Sequence, residues 1–214
     1  MERIELENIL PAVFAGRENI VSDVWRKKLS FAKGKSYLIE AASGTGKSSL
    51  CSFIYGYRKD YEGIISFDST DIRNLSGDDW TGVRQQAIGM MFQELRLFPE
   101  LTAAENVTLK NNLTHFRAEK QIREWFSMLG IEDKWNEPVG QMSFGQQQRV
   151  AFIRMLCQPS DFLFMDEPVS HLDDANSKIM GDILSAEIRE RGVGVIVTSI
   201  GRRLNMDYDV EIKL

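Results

Sequence analysis

The chain has little cysteine and no excess of basic residues. Its 214 residues include two cysteines, Cys51 and Cys157, whose separation fits neither a disulfide framework nor a metal-binding pair. We therefore expect a reducing, cytosolic setting. The net charge is −5, whereas proteins that bind nucleic acid usually carry extra lysine and arginine that neutralise phosphates. The sequence therefore predicts no nucleic-acid partner.

Long apolar runs are also missing. The first ten residues, MERIELENIL, are charged and lack the apolar stretch of a signal peptide. No apolar run approaches the roughly 20 residues that a membrane helix needs. We expect a soluble chain that reaches a membrane only through a partner protein. The composition, 43% hydrophobic and 27% charged, is ordinary for a globular protein and allows one large domain or two small lobes.

Strand and helix patterns alternate along the chain. Strands are predicted for RIELENI, for two short segments around Gly34, and for GIISFDSTDI, DFLFMDE, VGVIVTS and YDVEIKL. Helices are predicted for SSLCSFIYGY, ending near Gly56, and for SKIMGDILSAEIRERG, ended by its glycine. Residues from about 100 to 157 show helical patterns and little strand character. This order predicts an α/β fold with a mainly parallel, doubly wound sheet and an inserted helical lobe.

Residues 41–48, AASGTGKS, are typical of a phosphate-binding loop between a strand and a helix, although a glycine-containing turn is the simpler alternative. Backbone N–H groups of such a loop bind phosphate oxygens at the positive end of the helix dipole. Lys47 is expected to reach the β- and γ-phosphates, and the Ser48 hydroxyl to ligate Mg²⁺. Ala41 replaces the first glycine of the pattern, and it fits if its φ is negative. The residues predicted to bind nucleotide in this loop are Ser43, Gly44, Thr45, Gly46, Lys47, Ser48 and Ser49.

Two acidic residues follow the apolar strand in FLFMDEP, residues 162–168. Asp166 is expected to hold Mg²⁺ through water, and Glu167 to polarise an attacking water molecule. Taken alone, the pair fits an ordinary polar strand end equally well. The assignment therefore depends on the other motifs.

The stretch QMSFGQQQRVAFIRML, residues 141–156, predicts a capped helix. Ser143 and Gln146 fit a capping box, and apolar residues follow at helical spacing. Gly145 leaves this helix N-terminus open to an anion. The string MSFGQQQR resembles the signature motif of the ABC-family ATPases, usually LSGGQ. A small-molecule kinase shares the phosphate loop but does not account for this string.

The resemblance to the ABC family extends over nearly all of the chain. Residues 90–107, MMFQELRLFPELTAAENV, resemble the family's Q-loop region, in which Gln93 would contact Mg²⁺ and the water while the following segment meets a membrane partner. Residues 170–173, SHLD, resemble the D-loop, with Asp173 expected at a dimer interface. In detail the chain looks most like the short cassettes of lipoprotein release, macrolide efflux and cell division.

This resemblance implies a P-loop NTPase of RecA-like fold, with a mainly parallel sheet core, a small antiparallel β lobe and an inserted helical subdomain. Within a single ABC ATPase domain of residues 1–214, it implies that 1–93 and 158–214 form the nucleotide-binding core and the β lobe. Residues 94–157 would form the helical lobe that carries the signature. The resemblance implies roles for Glu167, Gln93 and Lys47 in catalysis, for Ser48, Gln93 and Asp166 as metal ligands, and for Ser143, Gly145, Gln146, Asp173 and Ser199 in nucleotide binding.

The implied function is that of an ATP-binding and ATP-hydrolysing subunit with ATP and Mg²⁺ as its ligands. It would work as a homodimer, or with a paired ABC subunit, in an ATP sandwich coupled to an integral-membrane permease. We therefore expect a cytoplasmic protein held at the inner face of the cell membrane. Because the membrane subunit selects the cargo in this family, no pocket for a transported substrate is expected in this chain.

Several residues depart from the family pattern. Ser199 stands where the family has its switch histidine, and Phe144 replaces the first glycine of the signature; the two histidines, His115 and His171, lie elsewhere. Phe14 is a candidate for stacking on adenine, with a core phenylalanine as the alternative. Since loss of one positioning contact typically costs about 10²- to 10⁴-fold in rate, we expect retained but slow hydrolysis.

Two alternative functions stay open. A regulatory ATP-binding subunit with little turnover would keep the fold, and Ser199 and Phe144 would then mark lost catalysis. An ABC ATPase of repair or translation would bind nucleic acid. The 49 residues between Gln93 and Ser143 leave no room for a long coiled-coil insertion, which disfavours that second alternative.

Overall fold

The computed structural model describes residues 1–17 and 19–214, and within these the chain forms two sheets with helices packed against them. The strands are β1 (Arg3–Pro11), β2 (Lys28–Ala32), β3 (Ser36–Glu40), β4 (Tyr61–Phe67), β5 (Thr70–Asp71), β6 (Ile88–Met91), β7 (Phe162–Asp166), β8 (Gly194–Ser199) and β9 (Val210–Lys213). The α-helices are α1 (Lys47–Ile54), α2 (Gly77–Gly82), α3 (Ala103–Asn111), α4 (Glu119–Met128), α5 (Phe144–Leu156) and α6 (Asp174–Arg191). None of the described helices is long and apolar enough to cross a membrane.

The larger sheet has the order β6-β7-β8-β3-β9, and every adjacent pair in it is parallel. Alternate residues of a strand face opposite sides of a sheet. In β7, Leu163 and Met165 accordingly join one apolar cluster, while Phe162 and Phe164 join the other. Both faces of the sheet are covered, which explains why its strands read as continuous apolar runs. The predicted α/β fold with a mainly parallel sheet is confirmed.

The smaller sheet has the order β2-β1-β4-β5 and is antiparallel throughout. Gly34, with φ of 76°, lies in the turn between β2 and β3, which belong to different sheets. A left-handed turn at this point is easy for glycine and allows the chain to leave one sheet and enter the other. The antiparallel lobe expected from the family resemblance is therefore present.

The segment between β6 and β7 contains α3, α4 and α5, as its helical pattern predicts. Val107, Phe126 and Phe152 from these helices are fully buried in the cluster that covers one face of the large sheet. Neither β6 nor α2 is predicted from the sequence. Strand β6 is the short run IGMM, which shows little alternation. The division of the chain at residues 94 and 157 stays a prediction.

Helix α6 packs closely against the segment that follows β8. A Cβ atom at Gly181 would lie 2.1 Å from the backbone oxygen of Asn205. The Asn205 N–H also donates a hydrogen bond to Ser177 Oγ at 3.0 Å, which ties the segment to the same helix face. Glycine inside a helix is destabilising by roughly 0.5–1 kcal/mol relative to alanine, so its presence here fits the close approach. This contact fixes the chain at Asn205, between β8 and β9.

A Gly181→Ala substitution is expected to destabilise the protein by about 1–3 kcal/mol, because the added methyl overlaps the Asn205 backbone. Gly82 is a matched control: it has right-handed helical dihedrals, and a Cβ there would meet nothing within 4 Å. Gly82→Ala should raise stability by about 0.4–1 kcal/mol. Chemical denaturation of both variants measures the difference, and equal effects of the two substitutions would contradict the packing argument.

Candidate functional site: a nucleotide-binding cavity

The loop between β3 and α1 is shaped by two glycines. Gly44 and Gly46 have φ values of 78° and 97°, in the left-handed region that favours glycine. A Cβ at Gly46 would also lie 2.9 Å from the Trp25 ring and 3.0 Å from the Phe14 ring. Trp25 also stabilises the loop by donating its indole N–H to the Thr45 backbone oxygen at 2.9 Å. No local pattern in the sequence indicates this role of Trp25, because Trp25 lies 20 residues before its partner.

Ala41 fits its position without strain. It is buried, its φ is not positive, and its N–H donates to the Ser199 oxygen at 3.0 Å. The missing first glycine of the loop pattern therefore has no effect on the backbone here. Ala41 therefore meets the requirement, predicted from the sequence, that its φ must not be positive.

The N-terminus of α1 is open to an anion. The N-cap residue Gly46 provides no side-chain hydrogen bond, so the first backbone N–H groups of the helix have no capping acceptor. These donors and the positive end of the helix dipole point into the loop. An arrangement of this kind favours a phosphate group.

Lys47 is the most constrained group in the site. Its side chain is buried, with 5% exposure for the residue, and its Nζ atom lies 3.6 Å from Asp166 Oδ1 and forms an ion pair with Glu167. Both contacts of this buried nitrogen are to carboxylate oxygens. Burial lowers the pKa of Lys47, and the Asp166 carboxylate only partly opposes that effect. A phosphate oxygen would bring further negative charge to the ammonium.

Asp166 is held at the end of β7 by groups from two other elements. The Thr198 hydroxyl on β8 donates to Asp166 Oδ1 at 2.5 Å, and Ser48 Oγ on α1 donates to Oδ2 at 3.3 Å. Carboxylate and hydroxyl oxygens are ligands that Mg²⁺ prefers, and this ion usually takes only one or two carboxylates from the protein besides substrate phosphates. Ser48 and Asp166 therefore fit the predicted metal site.

Glu167 directly follows the strand in a left-handed conformation, with φ of 52°. Its N–H donates to the Thr198 oxygen at 3.2 Å, which fixes the turn. A positive φ is uncommon for a residue other than glycine and marks a position that its surroundings hold in place. The turn directs the Glu167 carboxylate toward Lys47 and into the cavity.

The phosphate loop, Gln93 and Glu167 line a cavity of about 370 Å³, within the usual range for small-molecule sites. Six of the seven loop residues predicted to bind nucleotide lie on its wall, which also includes Val13, Ala42 and Ile200, residues that no motif in the sequence indicates. Thr45 is not on this wall, and its hydroxyl donates to the Ala42 oxygen instead. The lining residues are Val13, Phe14, Ala42, Ser43, Gly44, Gly46, Lys47, Ser48, Ser49, Gln93, Glu167 and Ile200.

Phe14 reaches the cavity but is packed as a core residue. It is buried, its ring stands edge-on to Trp25 at 6.2 Å, and the Arg17 guanidinium lies 4.3 Å above it. Its neighbour Val13 is the exposed side chain at this end of the cavity. Stacking of Phe14 on adenine stays a prediction, and the structure offers the base an aliphatic surface at Val13 as well.

Ser199 is placed away from the cavity. It is 1% exposed, and its hydroxyl donates to the backbone oxygen of Arg202. The next residue, Ile200, supplies an apolar side chain to the cavity wall. In this structure, Ser199 therefore offers no side-chain hydrogen bond to a nucleotide, although it stands at the predicted position in the chain.

The signature residues form a separate surface. Ser143 caps α5 in the predicted capping box: its hydroxyl accepts from Gln146 N–H, and its own N–H donates to Gln146 Oε1 at 2.9 Å. Ser143 is exposed, and none of Ser143, Gly145, Gln146 or Asp173 lines the cavity of the same chain. Asp173 caps α6 through Asn176, whose hydrogen bonds lower the pKa of the Asp173 carboxyl.

A second groove, of about 200 Å³, lies beyond the end of β6. Its walls are the aromatic side chains of Tyr55, Phe92 and Phe98, and Lys110 and Arg154 provide its positive charge. Asn106 is fully buried and exchanges hydrogen bonds with both the N–H and the oxygen of Phe98. These hydrogen bonds fix the backbone of Phe98, while its side chain is 53% exposed.

Comparison with known proteins identifies the family. The ABC transporter family model matches residues 26–170. The lipoprotein-releasing system ATP-binding protein LolD of Syntrophotalea carbinolica is 31% identical over 211 residues, which cover 96% of this chain and 92% of that protein. The ABC transporter ATP-binding protein YtrE of Bacillus subtilis is 31% identical over 185 residues, 85% of this chain and 80% of that protein.

Solved structures agree with the sequence relatives. The dimeric structure of the ABC transporter cassette MJ0796, whose sequence comes from Methanocaldococcus jannaschii, superposes with a TM-score of 0.82 at 29% identity and covers 98% of this chain and 94% of that one. A dimeric post-hydrolysis state of MJ0796, bound to ADP and Pi, gives a TM-score of 0.77 at 30% identity, with 92% and 87% coverage. The chain therefore belongs to the ABC transporter family, as an ATP-binding cassette with an ATPase site.

Proposed function

We propose that the protein is the ATPase subunit of a membrane ABC complex and that it works as a dimer with ATP enclosed between its two copies. The observation that carries this proposal is the state of Lys47. Its ammonium is buried beside two carboxylates and the uncapped N-terminus of α1, and burial lowers its pKa despite those carboxylates. A triphosphate with Mg²⁺ would place phosphate oxygens on the ammonium and the helix N-terminus and a cation beside the carboxylates.

The position of the signature supports a site shared between two copies. Within one chain the cavity wall comes from the phosphate loop, Gln93, Glu167 and their neighbours, while Ser143 and Gly145 are presented elsewhere. The capped N-terminus of α5 is a second anion-binding element. A second copy would bring this element to the open side of the bound phosphates. The dimeric structures of MJ0796 are consistent with that arrangement.

We also propose chemical roles for the residues of the site. Ser48, Gln93 and Asp166 would hold Mg²⁺, which neutralises charge on the phosphates during hydrolysis. When the γ-phosphate takes over the Lys47 ammonium, the Glu167 carboxylate is released from its ion pair. Glu167 is then free to accept a hydrogen bond from the attacking water. In this way phosphate binding itself prepares the base.

A Glu167→Gln variant tests the dimer. It should bind ATP and form a dimer that depends on ATP and Mg²⁺, while phosphate release falls by about 10²- to 10⁴-fold, because the amide cannot act as the base. Size-exclusion chromatography with light scattering and a steady-state phosphate assay measure both effects. A Lys47→Ala variant, which loses the phosphate contact, should stay monomeric under the same conditions.

Two outcomes would count against this account. If Glu167→Gln bound no nucleotide and stayed monomeric, the proposed function would be wrong. If the wild-type protein dimerised with ATP but released phosphate no faster than Glu167→Gln, the regulatory alternative with little turnover would replace it.

The groove beyond β6 is the proposed docking site for the permease. It combines exposed aromatic surface on a fixed backbone with two cations that face no carboxylate on the groove wall. Burial lowers the pKa of Arg154 to about 10, and it lowers the pKa of Lys110 as well. Arg154 also donates to the oxygens of Leu95 and Arg96, so the groove is tied to the chain that follows Gln93. A partner bound there would therefore act on the nucleotide site through this segment.

Substitution of Phe98 tests the docking site. Phe98→Asp should reduce recovery of an integral-membrane partner, purified in detergent from the native host, on the order of tenfold or more, because it removes an aromatic anchor. Met128, on α4, has a similar exposure of 50% but does not line the groove, so Met128→Asp is the matched control. ATP-dependent dimerisation should be unchanged in both variants. Equal recovery with Phe98→Asp and Met128→Asp would contradict the assignment of this groove.

A further inference from the structure

His171 and Phe144 form an aromatic pair at the edge of the signature surface. Their ring centroids are 4.5 Å apart with an interplanar angle of 66°, and both residues are exposed. The two loops touch through the backbone as well, since a Cβ at Gly145 would lie 2.8 Å from the His171 oxygen. The SHLD stretch and the signature therefore form one continuous surface next to Ser143.

The His171 ring has one nitrogen engaged and one available. Its Nδ1 atom lies 2.9 Å from Ser170 Oγ, and Ser170 in turn accepts a hydrogen bond from Gln148 at 3.1 Å. Within residues 1–17 and 19–214, no hydrogen bond to Nε2 is formed. A ring held in this way presents Nε2 to the outside of the protein as a hydrogen-bond donor or acceptor.

The nucleotide cavity lacks a polar group on the wall that β8 provides. Ser199 is buried and turned toward Arg202, and Ile200 supplies only carbon atoms. Transfer of a phosphoryl group places negative charge on three equatorial oxygens, and each donor aimed at them stabilises the transition state. Lys47 and the loop backbone act from one side, so a donor from outside the chain would complete the set.

We propose that His171 is a catalytic residue that acts across the dimer and donates a hydrogen bond from Nε2 to the γ-phosphate bound by the other copy. The proposal depends on the proposed function, since it requires the signature surface of one copy to close over the cavity of its partner. In that arrangement Ser143 contacts the γ-phosphate. His171 lies on the same surface, with its ring packed against that of Phe144, the neighbour of Ser143. The imidazole then supplies the donor that the wall at Ser199 and Ile200 does not.

A His171→Phe substitution separates catalysis from packing, because it keeps an aromatic ring against Phe144 and removes both ring nitrogens. We expect kcat to fall by about 10²- to 10³-fold, the loss usually seen when one oxyanion donor is removed. KM for ATP should change by less than about threefold, since the contact strengthens in the transition state. His171→Gln keeps an N–H donor and should lose less activity than His171→Phe.

Mixed dimers test whether His171 acts across the interface. The Glu167→Gln chain has an intact His171, and the His171→Phe chain has an intact Glu167 and phosphate loop. Each should be slow alone. In an equal mixture about a quarter of the wild-type rate should return, because half of the dimers are mixed and each mixed dimer has one intact site of its two.

Each outcome has one meaning. Turnover of His171→Phe within about threefold of the wild type would overturn the proposal, because a lost oxyanion donor costs far more. A slow His171→Phe variant whose rate does not recover on mixing would also overturn it, since His171 would then act within its own chain or on its structure. If the Glu167→Gln chain did not dimerise with ATP, the proposed function would fail instead. As a control for packing, the double variant Glu167→Gln/His171→Phe should still form the ATP-dependent dimer, which would show that the substitution leaves the dimer interface intact.

Discussion

The structure depends most on the burial of one ammonium group between two acids. Lys47 starts α1, Asp166 ends β7, and Glu167 forms the turn that follows, so the three side chains meet where a helix begins and a strand ends. A buried charge is costly unless it is paired, and burial lowers the pKa of Lys47 although two carboxylates lie beside it. A phosphate oxygen would add negative charge at the point where the buried ammonium needs it.

The parallel sheet produces this meeting point. In a parallel sheet all carboxyl ends lie at one edge, and ligands in such folds bind in the crevice outside that edge. Strands β3, β7 and β8 are neighbours, and they deliver the phosphate loop, Asp166 and Thr198 to the same place. The adjoining β6 leads to Gln93 and then to the groove at Phe98. One edge of one sheet therefore joins the nucleotide cavity to the proposed membrane-partner surface.

Local patterns in the sequence predicted the parts of the site that depend on neighbouring residues. The glycine loop, the capping box of Ser143 with Gln146, and the helix end at Gly192 are all found as predicted. Local patterns do not predict contacts between segments that are distant in the chain. The sequence placed a serine at position 199, but only the fold shows its hydroxyl turned to Arg202 and Ile200 on the cavity wall.

The pairing of Phe144 with His171 illustrates the same limit. Phe144 alone reads as a departure from the signature motif, His171 lies in the stretch that resembles the D-loop, and the two lie 27 positions apart in the chain. The fold brings their rings together into one surface. The short strand β6 was missed for a related reason, because its four residues carry little pattern of their own and pair only with β7.

The central claim is that one nucleotide is held by two copies of the chain. The most direct measurement is an experimental structure of the Glu167→Gln protein with ATP and Mg²⁺. The account predicts two nucleotides per dimer, each with its γ-phosphate on Lys47 of one copy and within about 3 Å of Ser143 Oγ of the other. A nucleotide held by the phosphate loop alone, with both signature surfaces left in solvent, would contradict it.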